Sequence, residues 1–247
     1  MKILITGARG FIGRNLVETL GIRRRVEIMP FNSSGDPALL DGYAEKCDFL
    51  YHLAAVHQSD DPADFEKVNH RFFAELLGRL KAAGNSCPVL LPSPVYTGDD
   101  NDYNRSKLAA ERTLLAHSRE TGAKAIIYRL TNIFGRYARP YGYSIAATIC
   151  YSVARSLPIE IRDPDRVLRL YYIDDVIDSF IAQLDDGIKP DQDGYYRLPR
   201  EQEYEITAQD LADRFISYKK SLGQGEEPEL RDLFSRRLYD TLLSYLP

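Results

Sequence analysis

Cysteine is scarce in this chain. Cys47, Cys87 and Cys150 are the three among 247 residues, far apart and without paired spacing. They fit reduced, mostly buried thiols of a cytoplasmic protein better than a disulfide framework or a metal site. Histidine is little commoner: His52, His57, His70 and His117 form no ligand pattern such as HExxH, so no metal is expected. Basic charge is not in excess; the formal net charge is -4, which supplies no field for nucleic acid. No apolar run approaches the roughly 20 residues that cross a bilayer. Met1 leads straight into an apolar run, so no targeting peptide is expected ahead of the fold. Repeats and low-complexity segments are lacking too. What remains is an ordinary globular composition, with length for one large domain or a domain with a small lobe.

Against these absences stands one organised stretch, Met1 to Leu20. Lys2 to Thr6 (KILIT) reads as a buried strand, and Arg14 to Leu20 as the body of a helix. Between them Gly7, Gly10 and Gly13 recur at three-residue spacing. A strand, a glycine turn and a helix in this order make a dinucleotide-binding unit. Gly7 permits the tight turn, Gly10 lets backbone N–H groups of the turn and of Phe11 and Ile12 approach a pyrophosphate, and Gly13 lets the helix lie close on the strand. Arg9 within the turn can meet the 2′-phosphate of NADP, or is simply a solvated loop cation. The second strand, Arg25 to Phe31, is followed by Asn32, Ser33 and Ser34 where a NAD-specific site usually places an acid. NADP(H) is therefore favoured, with NAD(H) possible.

Strand and helix then alternate. Cys47 to Ala55 (CDFLYHLAA) is an apolar strand ending at Leu53, Ala54 and Ala55, where small residues allow a cofactor across the sheet edge or merely pack tightly. Phe65 to Ala83 is helical by period; Asn69 within it reads as an ordinary solvated amide. Pro88 to Leu91 is a strand, Asn101 to Gly122 a helix stopped by its glycine, and Ala123 to Leu130 a strand. This order predicts an α/β fold with a doubly wound parallel sheet, the Rossmann fold, over residues 1–136. After Arg136 the pattern changes to a Tyr-, Pro- and Arg-rich loop. Helices follow at Ser144–Ser156, Asp174–Leu184 and Thr207–Leu222, with strand-like stretches at Ile159–Arg162 and Val167–Tyr172. Residues 137–247 are expected to form mainly a smaller substrate-binding lobe, with some elements returning to the core.

Tyr103 and Lys107 share a face of the predicted Asn101–Gly122 helix. A neighbouring ammonium stabilises a phenolate, which makes Tyr103 a usable general acid, and Lys107 can also bond a nicotinamide ribose. Of 17 tyrosines only Tyr103 has lysine four residues on; chance alone gives about 0.6 such pairs, so the weight comes from the place rather than the spacing. A hydroxyl after the preceding strand should polarise a substrate carbonyl. Ser93 is the candidate, if it is not an ordinary turn hydroxyl, and Thr97 the reserve.

TGARGFIG, YHLAA, the Tyr103–Lys107 pair, YRLTNIFG and YYIDDV together resemble the extended short-chain dehydrogenase/reductases, the family of nucleotide-sugar epimerases, dehydratases and 4-ketoreductases. SIAATICYSVAR and the tail from Asp232 to Pro247 resemble more closely its capsule and O-antigen 4-ketoreductases, which carry a cupin-like domain after this tail. The resemblance implies NADPH reduction of a UDP-linked 4-keto-6-deoxy-N-acetylhexosamine by a cytoplasmic homodimer. It implies substrate contacts from Asn132, and from Arg136 and Arg139 unless these are solvated loop cations. A diphosphate contact is carried only weakly to Arg169, because Leu168 aligns where the family has its arginine. Pro92 and Pro94 stand where the family tends to place serines. The alternatives are an epimerase or 4,6-dehydratase of the same family, or a non-catalytic NADP sensor or scaffold.

Overall fold

The computed structural model describes residues 1–96, 100–142, 144–185 and 187–247. Contacts divide it into two compact units, residues 1–130 with 177–197, and residues 131–176 with 198–247. The division falls at 130 rather than 136. Residues 177–197 join the first unit because sheet tyrosines bond to them: Tyr51 Oη donates to the Phe180 carbonyl at 2.9 Å, and Tyr128 Oη pairs with Ser179 Oγ at 2.8 Å.

The first unit is built on five parallel strands, β1 (Lys2–Thr6), β2 (Glu27–Phe31), β3 (Phe49–His52), β4 (Val89–Pro94) and β5 (Ala125–Leu130), in the order β2-β1-β3-β4-β5. Helices α1 (Phe11–Arg23), α2 (Leu39–Lys46), α3 (Phe72–Ala82) and α4 (Asp102–Thr121) connect them. Ile3, Leu4 and Ile5 are fully buried, as a strand covered on both faces requires. Leu50, Val89, Leu91 and Ile127 pack with Phe73, Leu76, Leu80 and Leu114 of α3 and α4. Because the chain leaves β1 on both sides, toward β2 and toward β3, the crevice beyond the carboxyl ends of β1 and β3 is the topological switch point. Cys47 and Cys87, distant in sequence, bring their buried sulfurs to 3.6 Å; all three thiols are free.

Several boundaries differ from the sequence expectation, each for a physical reason. The strand expected over Cys47–Ala55 pairs only as Phe49–His52. β4 runs on through Pro92 and Pro94. The N–H groups of Val89 and Val95 point to β5, so prolines at the intervening even positions fall on the side where pairing with β3 has ended, and no ladder bond is lost. The expected Phe65–Ala83 helix opens with a π-helical turn, Phe65–Arg71, before α3 begins. For α4 the expected ends hold: the Asn101 side chain accepts the Asn104 N–H at 2.8 Å, and Gly122 closes it at φ 77°.

The second unit holds β6 (Asn132–Phe134), β7 (Val167–Tyr172) and β8 (Glu203–Thr207), with β6 parallel and β8 antiparallel to β7. Helices α5 (Ile145–Ala154), α7 (Ala208–Gln224) and α8 (Leu233–Leu243) pack together, and α6 (Ile173–Ala182) follows β7. Ile159–Arg162 gains no partner strand and is irregular. β8 and α8 were missed: the first carries charge at Glu203 and Glu205, while the second does show a helical period in Phe234, Leu238, Thr241 and Leu242 behind an Asp232 cap. No helix among the described residues is long and apolar enough to cross a membrane.

Candidate nucleotide and catalytic site

The glycine turn is compact for reasons that fall on single atoms. Gly7 has φ 68°, and a Cβ there would lie 2.6 Å from the Ala54 nitrogen and 2.7 Å from the Leu53 carbonyl carbon. A Cβ on Gly13 would strike the Gly7 carbonyl oxygen and come to 2.8 Å from Ala8 Cα. The turn and the end of β3 are therefore in backbone contact. Helix α1 starts at Gly10 with no side-chain cap and no acid in its first turn. In contrast α4, α5, α7 and α8 are capped by the side chains of Asn101, Ser144, Thr207 and Asp232. The amides of Phe11, Ile12 and Gly13 are thus left to an outside acceptor, as a pyrophosphate site requires. The Arg9 backbone N–H donates to Asn32 Oδ1 at 2.9 Å, which ties the turn to the end of β2, and Arg9 is exposed. These residues fit a nicotinamide dinucleotide.

At the end of β3, beside this turn, polar contacts continue to His52. Thr6 Oγ1 accepts the Ala54 N–H at 3.3 Å and bonds His52 Nδ1 at 3.0 Å. Burial, helped by the Lys107 charge, keeps His52 neutral well below its usual range. Lys107 itself is 5% exposed, and burial brings its ammonium down to about 8. One turn earlier, the Tyr103 ring is half-buried between the His57 ring, stacked at 5.1 Å, and the edge of Phe65 at 6.3 Å. His57 and Phe65 also line a cavity of about 500 Å³ with Gln58, Ser59 and Asp60.

Asn69 corrects the sequence reading. It is 1% exposed, not a solvated amide. Its Oδ1 accepts the Val56 N–H at 2.7 Å, and its Nδ2 donates to the Val56 carbonyl at 2.9 Å and to Ser106 Oγ at 3.0 Å. It fastens the loop after β3 to the helix turn that carries Tyr103, and the π-helical turn is what aims it inward. Nothing in the local sequence signals this, nor the place of His57.

Ser93, the candidate hydroxyl, lies at the end of β4. It is 3% exposed, donates to the Glu111 carboxylate and lies 3.2 Å from Tyr96 Oη. Strand alternation turns it away from the face of Pro92 and Pro94, so this hydroxyl is committed inside the protein. Thr97 lies outside the described residues.

In the second unit, Arg136 Nη1 bonds Asp174 at 2.8 Å and Arg139 is exposed. Asn132 sits on β6 with its amide 3.5 Å from the Arg169 carbonyl. Arg169 is held by Glu203 and, at 3.5 Å, by Glu205 of β8, where a strand pair puts unlike charges opposite.

Residues 3–194 match the model of the NAD dependent epimerase/dehydratase family. The chain belongs to this family. It is 33% identical over its whole length to a UDP-2-acetamido-2,6-beta-L-arabino-hexul-4-ose reductase of Pseudomonas aeruginosa, of which it spans 65%. Among solved structures it is similar to the capsular polysaccharide assembling protein CapF of Staphylococcus aureus, at TM-score 0.87 and 30% identity, covering all of this chain and 65% of that one. The NADPH complex of RMD from Pseudomonas aeruginosa superposes at TM-score 0.78 and 20% identity over 99% and 98% of the two chains, a likeness of fold alone. The chain thus spans just under two thirds of the length of the reductase and of CapF.

Proposed function

We propose that this protein reduces a UDP-linked 4-ketosugar with NADPH, as a step in bacterial surface polysaccharide synthesis. The observation that carries the reading is the buried Lys107 one helical turn from Tyr103, on a helix of the same unit as an uncapped glycine turn. The 33% identity to a UDP-hexul-4-ose reductase supports the substrate class, and the likeness to CapF the setting.

Gly7, Gly10, Gly13 and the first amides of α1 would hold the pyrophosphate, and Leu53, Ala54 and Ala55 would border the dinucleotide. When bound, the nicotinamide supplies a hydride to the ketone carbon. Tyr103 would give its Oη proton to the ketone oxygen, and Lys107 would stabilise the phenolate left behind and hold the ribose. Asn132, Arg136 and Arg139 belong to the same proposal as contacts of the nucleotide sugar. Ser93, as the hydroxyl that would polarise the ketone, and Arg169, as a weaker diphosphate contact, belong to the proposal too, each at the cost of loosening its present carboxylate partner.

The test offers NADPH with a panel of UDP- and dTDP-linked 4-ketosugars and follows loss of reduced-nicotinamide absorbance. Turnover is expected with a UDP-4-keto-6-deoxy-N-acetylhexosamine. Cofactor binding without turnover on any ketosugar would favour a sensor instead.

Arg9 and Asn32 decide the cofactor. Asn32, Ser33 and Ser34 follow β2 in place of an acid, and the Arg9 backbone N–H is bonded to Asn32. Arg9→Ala is expected to weaken NADPH about tenfold or more while leaving NADH nearly unchanged, because one charge-assisted contact to the 2′-phosphate is removed. Fluorescence titration with both cofactors checks it; an equal loss for both would show that Arg9 does not read the phosphate.

A further inference from the structure

The proposed chemistry uses Tyr103 and Lys107 and leaves unexplained a buried pair of charges in the first unit. One turn beyond Lys107, on the same face of α4, stands Glu111, 2% exposed. Carboxylates are almost never buried so fully unless paired, and this one is bonded from several elements. Arg129 of β5 meets both its oxygens, with Nη2 2.8 Å from Oε2. Ser93 Oγ donates to Oε1, Tyr96 Oη donates to Oε1 at 2.9 Å, and Tyr195 Oη reaches Oε2 at 3.4 Å. The Arg129 guanidinium is held between ring faces, with centroids at 4.6 Å for Tyr96 and 4.0 Å for Tyr195. A buried pair of this kind gives little net stability over apolar residues of the same volume, so packing alone does not explain it.

Its position does. Tyr103, Lys107 and Glu111 follow one another at four-residue intervals, so phenol, ammonium and carboxylate share one stripe of α4. We propose that Glu111 and Arg129 are positioning residues for the reaction: the Glu111 carboxylate, one helical turn beyond Lys107, favours the ammonium form of that buried amine, and Arg129 seats Glu111 while limiting that effect. The inference rests on the reading of Tyr103 and Lys107 given above. Burial works against the Lys107 ammonium, the Glu111 charge works for it, and the Arg129 charge works against it. The other titratable groups around this face do not replace Glu111. His52 and His57 lie toward β3 and carry no negative charge, and Tyr96 and Tyr195 already bond Glu111. On the π-helical turn Glu66 bonds His70, which in turn meets Thr113. On α3, Lys81 pairs with Glu120 near the far end of α4.

The experiment reads Lys107 directly. The full chain is labelled with carbon-13 at lysine Cε, the Lys107 resonance is assigned by its loss in Lys107→Met, and its titration midpoint is compared among variants. Glu111→Gln is expected to lower the midpoint by about one pH unit or more, and Arg129→Met to raise it, because the two partners act with opposite sign. In the double variant the contributions cancel and the midpoint returns toward that of the parent. The alkaline limb of ketosugar reduction should move in the same directions. A purely structural role would lower denaturation midpoints in both single variants without moving Lys107 in opposite senses. NADPH binding shows which variants are folded; if one single variant fails to fold, the sign of the other decides. Folded variants with the parent's Lys107 midpoint overturn the proposal. If Tyr103→Phe stays active while the Lys107 midpoints shift as stated, the acid assignment fails and the role of the pair stands.

Discussion

Tyr103→Phe is expected to lower ketosugar turnover by about 10²–10⁴-fold, the range that a positioned general acid contributes, and to leave NADPH affinity nearly unchanged. The substitution removes one oxygen and keeps the ring. The ring is what packs on His57 and Phe65, so its seat on α4 survives. The glycine turn and α1, proposed to hold the pyrophosphate, do not depend on the phenol. The loss should fall on kcat, because the proton is given only as the ketone oxygen gains charge. Steady-state rates with matched cofactor titrations measure both halves. Full activity in the variant would require another proton donor and would remove Tyr103 from the mechanism.

Gly13→Ala is expected to weaken nicotinamide dinucleotide binding by about 10²-fold or more and to destabilise the protein by about 1–3 kcal/mol. The new methyl would be driven into the Gly7 carbonyl oxygen and to within 2.8 Å of Ala8 Cα. Both are backbone atoms, so no side-chain rotation relieves the overlap. Helix and turn must separate, and the N–H groups that would meet the phosphates move with them. Gly21, on the same helix, is the internal control: a Cβ there meets nothing within 4 Å. Gly21→Ala should raise stability by about 0.5–1 kcal/mol and leave affinity alone, since it only removes backbone entropy from a helical position. Urea denaturation and cofactor titration on the two variants separate the cases. Equal, small effects would mean that the turn is not the close contact described.

What was legible in the sequence was what local rules govern. KILIT, the three glycines and the helix after them have fixed spacings because backbone geometry and a phosphate impose them, and they lie where expected. Asn101 and Gly122 marked the ends of α4 because a cap bond and a left-handed residue are local matters. Tyr103 and Lys107 shared a face for the same reason. The boundaries that slipped were set by pairing. The strand over Cys47–Ala55 shortened where its partner ended, and Pro92 and Pro94 were tolerated in β4 because of the side on which they fall.

By itself, then, the chain determined a glycine turn for a dinucleotide, a parallel α/β order and a tyrosine one helical turn from a lysine, since each follows from periods of two or 3.6 residues along a single segment. Only the tertiary structure decided which polar groups are buried and whom they meet. Ser93 turned to Glu111, Asn69 clamped Val56 to Ser106, and Arg129 came from β5 to a carboxylate 18 residues away in the chain. A hydroxyl, an amide or a carboxylate has no period that reveals its partner. Its role is set by desolvation, and desolvation exists only once several elements have closed around it.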